Sequence, residues 1–274
     1  MDVRSADRAA TSGGPTLPEL VAALPPSLGG PRPPDHVLRD ARSRAVTSLM
    51  RVNAKLLDAA PRDGGSTAPQ DHEGLVELRR AWADIRCEWE EIRHRLDRLP
   101  TMDRIIGQPP GWDGDWEWFA IHTYSRWEPW AVTAAPRTVA LLRGVTGLRQ
   151  AAFSVLTPGT FLHPHRGVNT GVLRGLLGLV VDEPEQCGML VGDRRMDLGP
   201  GVLRIFDDTQ EHAAWNAGST ERVALLLEIE RPARGLAGGV NRLCQRVYRH
   251  HGLVAHGIDR VDELMREAEL PSSA

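Results

Sequence analysis

The chain has 274 residues, 41% of them hydrophobic and 25% charged, with a formal net charge of −3 and a pI near 6.4. That length and content support one large domain, or one domain plus a helical appendage. The near-neutral charge gives no electrostatic reason to expect nucleic acid or an anionic membrane as a partner. Cys87, Cys187 and Cys244 are odd in number and far apart, which speaks against a disulfide framework or zinc cluster and suits a reducing cytoplasm. No apolar leader and no long apolar run are present, so a soluble, non-secreted chain is expected.

In chain order, residues 1–35 are rich in Gly, Pro, Ser and Arg and read as a disordered arm. Residues 36–58 repeat apolar positions every three or four residues and predict a helix; a polar loop over 61–70 follows. From Asp71 a stronger seam, Leu75, Leu78, Trp82, Ile85, Trp89, Ile92, Leu96 and Leu99, predicts one helix ended by Pro100, either docked on the first helix and a β core or pairing with a second copy in a dimer. Residues 106–130 hold five of the eight tryptophans, Trp112, Trp116, Trp118, Trp127 and Trp130, suited to walling a pocket or filling a sandwich core. His122 among them reads as a packed histidine. A short helix over 136–144 starts on Pro136 and ends on Gly144.

The stretch 153–230 breaks into short apolar runs at 153–156, 172–181, 188–191, 202–206 and 223–229, bounded by Gly, Pro, Asn and Asp. That is the pattern of an all-β sandwich, jelly roll or barrel. His165 and His212 sit at strand ends, a separation only tertiary folding can close. Two imidazoles with open positions suit a metal that must also bind substrate, but the residue two after His165 is Gly167, where a two-histidine, one-carboxylate site would have its acid. On the residues alone, a metal pair and two loop histidines of a β-sandwich both stay open. His163 reads as a supporting or surface residue, because Pro164 interrupts the ladder between it and His165. Asp207 and Asp208 read as loop anchors that orient a neighbouring histidine, with Trp215 packed behind. Past Pro232, GLAGG reads as a hinge, residues 240–250 and 258–268 as helices, and His250, His251 and His256 as water-facing.

Several pieces together resemble the aspartyl/asparaginyl β-hydroxylase family of Fe(II)/2-oxoglutarate-dependent dioxygenases: PRTVALL at 136–142, FSVLTPGT at 153–160, PHRG at 164–167, LRGLLGL at 173–179, FDDTQEHAAWN at 206–216, and Arg222 ten residues after His212. The resemblance implies a mainly β fold, a double-stranded β-helix of the jelly-roll, cupin-like type with flanking α-helices. It implies Fe(II) on His165 and His212, with glycine in place of the carboxylate ligand. Arg222 would pair with the distal carboxylate of 2-oxoglutarate, Ser154 would help to hold that carboxylate, and Arg174 would contact the cosubstrate from the next strand. The family's Arg-x-His-Leu-x-Leu reads Arg174-Gly175-Leu176-Leu177-Gly178-Leu179, so Leu176 replaces a histidine.

The expected organisation is an arm at 1–35, a helical region at 36–100, the oxygenase domain at 101–235 and C-terminal helices at 236–274. The expected activity is an Fe(II)/2-oxoglutarate-dependent hydroxylase that uses O2 on a free or carrier-bound amino acid or a peptide, in bacterial specialised metabolism, with no nucleic-acid or membrane partner and an open oligomeric state. Leu176 keeps other outcomes in view: halogenase-like chemistry, or a fold that has given up 2-oxoglutarate and serves as a binding module or non-oxidative cyclase.

Overall fold

The computed structural model describes residues 41–59, 73–96, 98–107, 112–124, 126–167 and 169–268. The arm at 1–35, the start of the first predicted helix at His36 and the loop over 61–70 lie outside them. In chain order, α1 (Ala41–Ala59), α2 (Glu73–Arg80), α3 (Trp82–Arg95) and α4 (Met102–Ile106) lead to β1 (Trp112–Asp113), β2 (Trp116–Thr123) and β3 (Arg126–Trp127). Then come α5 (Pro129–Ala134) and α6 (Pro136–Arg143), each opened by the proline that suits a first helical turn. The strands β4 (Leu148–Leu156), β5 (Thr160–His165), β6 (Val172–Val180), β7 (Cys187–Val191), β8 (Arg194–Met196), β9 (Leu203–Phe206), β10 (His212–Asn216) and β11 (Arg222–Glu230) follow, and α7 (Gly235–Tyr248) and α8 (Gly252–Glu267) close the chain.

The strands form two antiparallel sheets, a major one in the order β3-β2-β4-β11-β6-β9 and a minor one in the order β1-β5-β10-β7-β8. They face one another as a double-stranded β-helix of the cupin-like, jelly-roll kind. The major sheet is buried on both faces, and the two-residue period of a strand assigns each side chain. In β11, Val223, Leu225, Leu227 and Ile229 point outward to a layer built by Leu75, Leu78, Ile85, Trp89, Ile92, Val139 and Leu142. Ala224 and Leu226 point inward, to a second core shared with Leu162, Met189, Val191 and Ala214 of the minor sheet. This pattern explains why β11 is nearly continuously apolar, as a strand buried on both faces must be.

The predicted helix from Asp71 is two helices. Ala81, at φ −90° and ψ 12°, leaves helical geometry between α2 and α3, and helix ends at Arg95 rather than Leu99. The break lets both halves of the seam lie on the curved outer face of the major sheet. The first helix, α1, packs on α7 instead, with Asn53 donating to Asn241 at the seam (2.8 Å). GLAGG is the first turn and a half of α7, not a hinge: Gly238 is buried where a side chain would run into the carbonyl of Ala233. Nor is His251 water-facing. It is 6% exposed, bonded to Thr47 (3.2 Å) and stacked on Tyr248. No helix among the described residues is long and apolar enough to cross a membrane.

Candidate functional site

The two sheets enclose a small pocket, about 40 Å³ in volume. The minor sheet contributes His165 from the end of β5 and His212 from the start of β10, and the antiparallel register pairs these two residues directly. Their ring centroids are 4.2 Å apart. The major sheet contributes Ser154, Arg174, Leu176 and Arg222 from β4, β6 and β11. Trp116, Leu156, Leu162, Met189, Phe206, Ala214 and Leu226 complete an otherwise apolar wall.

Each histidine is held the same way. His165 Nδ1 is 2.7 Å from the His163 carbonyl, and His212 Nδ1 is 2.9 Å from the Gln210 carbonyl. A carbonyl only accepts, so each Nδ1 carries the proton and each Nε2 keeps a bare lone pair. Burial keeps both rings neutral: it pulls His165 down to about 4, helped by His212 and Arg174, and moves His212 in the same direction. Two fixed, neutral imidazoles with bare Nε2 atoms are what a divalent metal of the iron-to-zinc series accepts.

The position two after His165 is filled by another residue's acid. A Cβ on Gly167 would lie within 2.3–2.6 Å of the Asp208 carboxylate atoms, and Gly167 N–H donates to the Asp208 carbonyl (2.7 Å). Asp208 is 3% exposed, with Oδ2 3.1 Å from Arg174 and Oδ1 unpartnered; burial raises its pKa. The same Nη2 of Arg174 donates to Glu228 (2.6 Å), which also accepts from the Tyr124 hydroxyl (3.0 Å). The chain Tyr124–Glu228–Arg174–Asp208 therefore braces the floor of the pocket. Glu228 was legible as a carboxylate inside the apolar run of β11, since a buried acid needs a partner.

Arg222 differs. It is 5% exposed, has no ion pair among the described residues, and leaves Nη1 without a hydrogen-bond partner; burial depresses it to about 10. Nearby on the same inner face, Ser154 Oγ accepts from Trp116 Nε1 (2.9 Å), which leaves its hydroxyl proton to donate. An unpaired buried guanidinium costs several kcal/mol, of order 3–5, unless an anion meets it. This pocket therefore fits an anion at Arg222 and Ser154 and a metal at the histidines.

Leu176 lines the pocket two residues from Arg174, on the same inner face. His122 is buried against Trp127 (centroids 4.5 Å) and held neutral, its pKa pulled to about 4 by burial and by Arg149. His163 supplies its carbonyl to His165, while its ring meets Asp113 (3.2 Å) on the outer side. Asp207 accepts from Thr209 and pairs with Arg231. Trp215 lies on the outer face of the minor sheet beneath Arg195. Among the described residues no group of three or more His, Cys, Asp or Glu could hold a metal, so His250, His251 and His256 form no site.

The sequence profile described as "Aspartyl/Asparaginyl beta-hydroxylase" matches residues 79–232. The chain is 31% identical over 191 residues to an ornithine lipid ester-linked acyl 2-hydroxylase of Rhizobium tropici, which spans 69% of this chain and 68% of that protein. It is 34% identical over 179 residues to the aspartyl/asparaginyl beta-hydroxylase of Mus musculus, spanning 63% of this chain but 23% of the mouse protein. It is also 30% identical over 176 residues to aspartate beta-hydroxylase domain-containing protein 2 of Homo sapiens, spanning 60% and 46% of the two chains.

Proposed function

Because the chain belongs to the aspartyl/asparaginyl β-hydroxylase family and is a hydroxylase, we propose that it depends on Fe(II) and 2-oxoglutarate and hydroxylates an amino-acid or peptide-derived substrate. The observation that carries this reading is Arg222, a buried cation with an unpartnered Nη1 in the pocket that holds two bare imidazole nitrogens. His165 and His212 would hold the metal. Arg222, with the Ser154 hydroxyl, would take the distal carboxylate of the cosubstrate, a match of planar fork to planar anion. Iron with 2-oxoglutarate and O2 supplies the oxidising power that places a hydroxyl on a C–H bond, with succinate and CO2 released.

The protein's own part is to fix both imidazole tautomers through the carbonyls of His163 and Gln210, to keep the rings neutral, and to exclude water with the apolar wall. The buried Arg222 weighs against a fold that has given up its anion, since nothing else among the described residues neutralises it. The free thiols Cys87, Cys187 and Cys244 fit a reducing cytoplasm.

One observation favours a second substrate class. Leu162, Leu176, Met189, Phe206 and Leu226 make the wall apolar, which suits an acyl chain, the kind of group named for the Rhizobium tropici relative. The test is to supply purified protein with Fe(II), ascorbate and 2-oxoglutarate, and to follow succinate together with mass shifts of one oxygen in amino-acid, peptide and acyl-lipid panels. Succinate with a hydroxylated product in one panel supports the proposal. No succinate in any panel refutes it.

A further inference from the structure

α1 and α7 lie side by side, their buried faces joined at Val46, Met50 and Asn53 of one helix and Asn241, Cys244 and Tyr248 of the other. Their outward faces carry Arg51, Val52 and Lys55 on α1 and Leu236, Arg242, Leu243 and Arg246 on α7. Among the described residues three of the four exposed large hydrophobics are here: Val52 at 54%, Leu236 at 76% and Leu243 at 56%. α7 contains no Asp or Glu, and α1 contains only Asp58. These two helices therefore carry a net positive charge in a chain whose formal charge is −3. No carboxylate among the described residues pairs with Arg51, Lys55, Arg242 or Arg246.

We propose that this outward face docks on an anionic lipid surface. Exposed Leu and Val flanked by Arg and Lys, with hardly any acid, is the composition of a helix that lies in a headgroup layer: the apolar side chains enter the acyl boundary while the cations meet phosphates. A purely electrostatic partner such as nucleic acid would leave Leu236 and Leu243 in water. The layer is also tied to the pocket. Gln245 of α7 exchanges two hydrogen bonds with Asn169 (2.9 and 3.1 Å), in the loop that follows His165. Docking would therefore set that loop near the surface, where acyl chains are presented. The surface argument stands apart from the hydroxylase reading, because none of its residues lines the pocket.

The test is co-sedimentation of the full chain with phosphatidylcholine vesicles, with and without phosphatidylglycerol, at low and high salt. Binding to the anionic vesicles alone, weakened by salt, is expected. Arg242→Ala with Arg246→Ala should weaken it about thirtyfold, and Leu236→Ser with Leu243→Ser should weaken it without changing its salt dependence. Melting curves of the variants check folding, and succinate release in free solution should match wild type. Absent binding, or equal binding to neutral vesicles, would overturn the proposal. So would a dimer in sedimentation velocity that the two serine substitutions dissolve, because the face would then be covered by a second copy.

Discussion

Leu176 sets the polarity of one pocket wall. Its side chain offers no hydrogen bond, while Arg174 beside it is already bound to Asp208 and Glu228. An imidazole at this position would give a carboxylate an added donor, so Leu176→His should lower the 2-oxoglutarate concentration for half-maximal succinate release about tenfold. An unchanged or raised requirement would show that the cosubstrate does not reach this wall. Gly167 makes a second prediction. Gly167→Ala must push the Asp208 carboxylate off its place, which should cost about 1–3 kcal/mol of stability in urea unfolding; a variant as stable as wild type would place that carboxylate elsewhere. His165 and His212 were readable as candidates from residue type and their place at strand ends, whereas Ser154 and Arg222 were candidates only through the family resemblance. The acid over Gly167 was not, since Asp208 reaches it from 41 residues away through a loop-to-loop contact that no local pattern encodes.

Among the elements, strand periodicity was the clearest signal: the apolar runs fall on β4, β6, β7, β9 and β11, with ends shifted by a few residues. Helix periodicity misled in two places. The seam from Leu75 continues across Ala81 although the helix does not, because a sheet that twists demands two short helices in place of one straight one. GLAGG looked like a breaker, but a glycine-rich turn also permits the close approach that α7 makes at Gly238. The partner of α1 could not be read from its apolar face alone. It is specified by polar groups: Asn241 accepts from Asn53 and Gln245 and donates to the Gly171 carbonyl (2.9 Å). Asn241→Ala leaves these groups unpaired in a buried seam, so a loss of about 2–4 kcal/mol is expected from urea unfolding. A loss below about 0.5 kcal/mol would mean that apolar packing alone holds α1 to α7.

At the scale of the whole molecule, the outer helical layer covers one face of the major sheet and the gap between the sheets holds the pocket. Burial also makes stability depend on pH. His122 is neutral in the fold with a pKa near 4, against about 6.5 in the unfolded chain. Below about 6.5 the unfolded chain takes up this proton first, so the contribution of His122 is intact at neutral pH and falls as pH drops toward 4. Compared with His122→Asn, wild type should lose on the order of 2–3 kcal/mol more between pH 7 and pH 4; parallel unfolding profiles would show that His122 is protonated in the fold. The central claim is that the inter-sheet pocket binds 2-oxoglutarate through Arg222 beside a metal on His165 and His212. Anaerobic titration of 2-oxoglutarate into the Fe(II)-loaded protein and its Arg222→Leu variant tests it most directly. Saturable, iron-dependent binding is predicted for wild type, with a loss of about 2–5 kcal/mol, thirtyfold or more in Kd, in the variant while iron binding is kept. Equal affinity in the two proteins, or no 2-oxoglutarate binding by iron-loaded wild type, would contradict it.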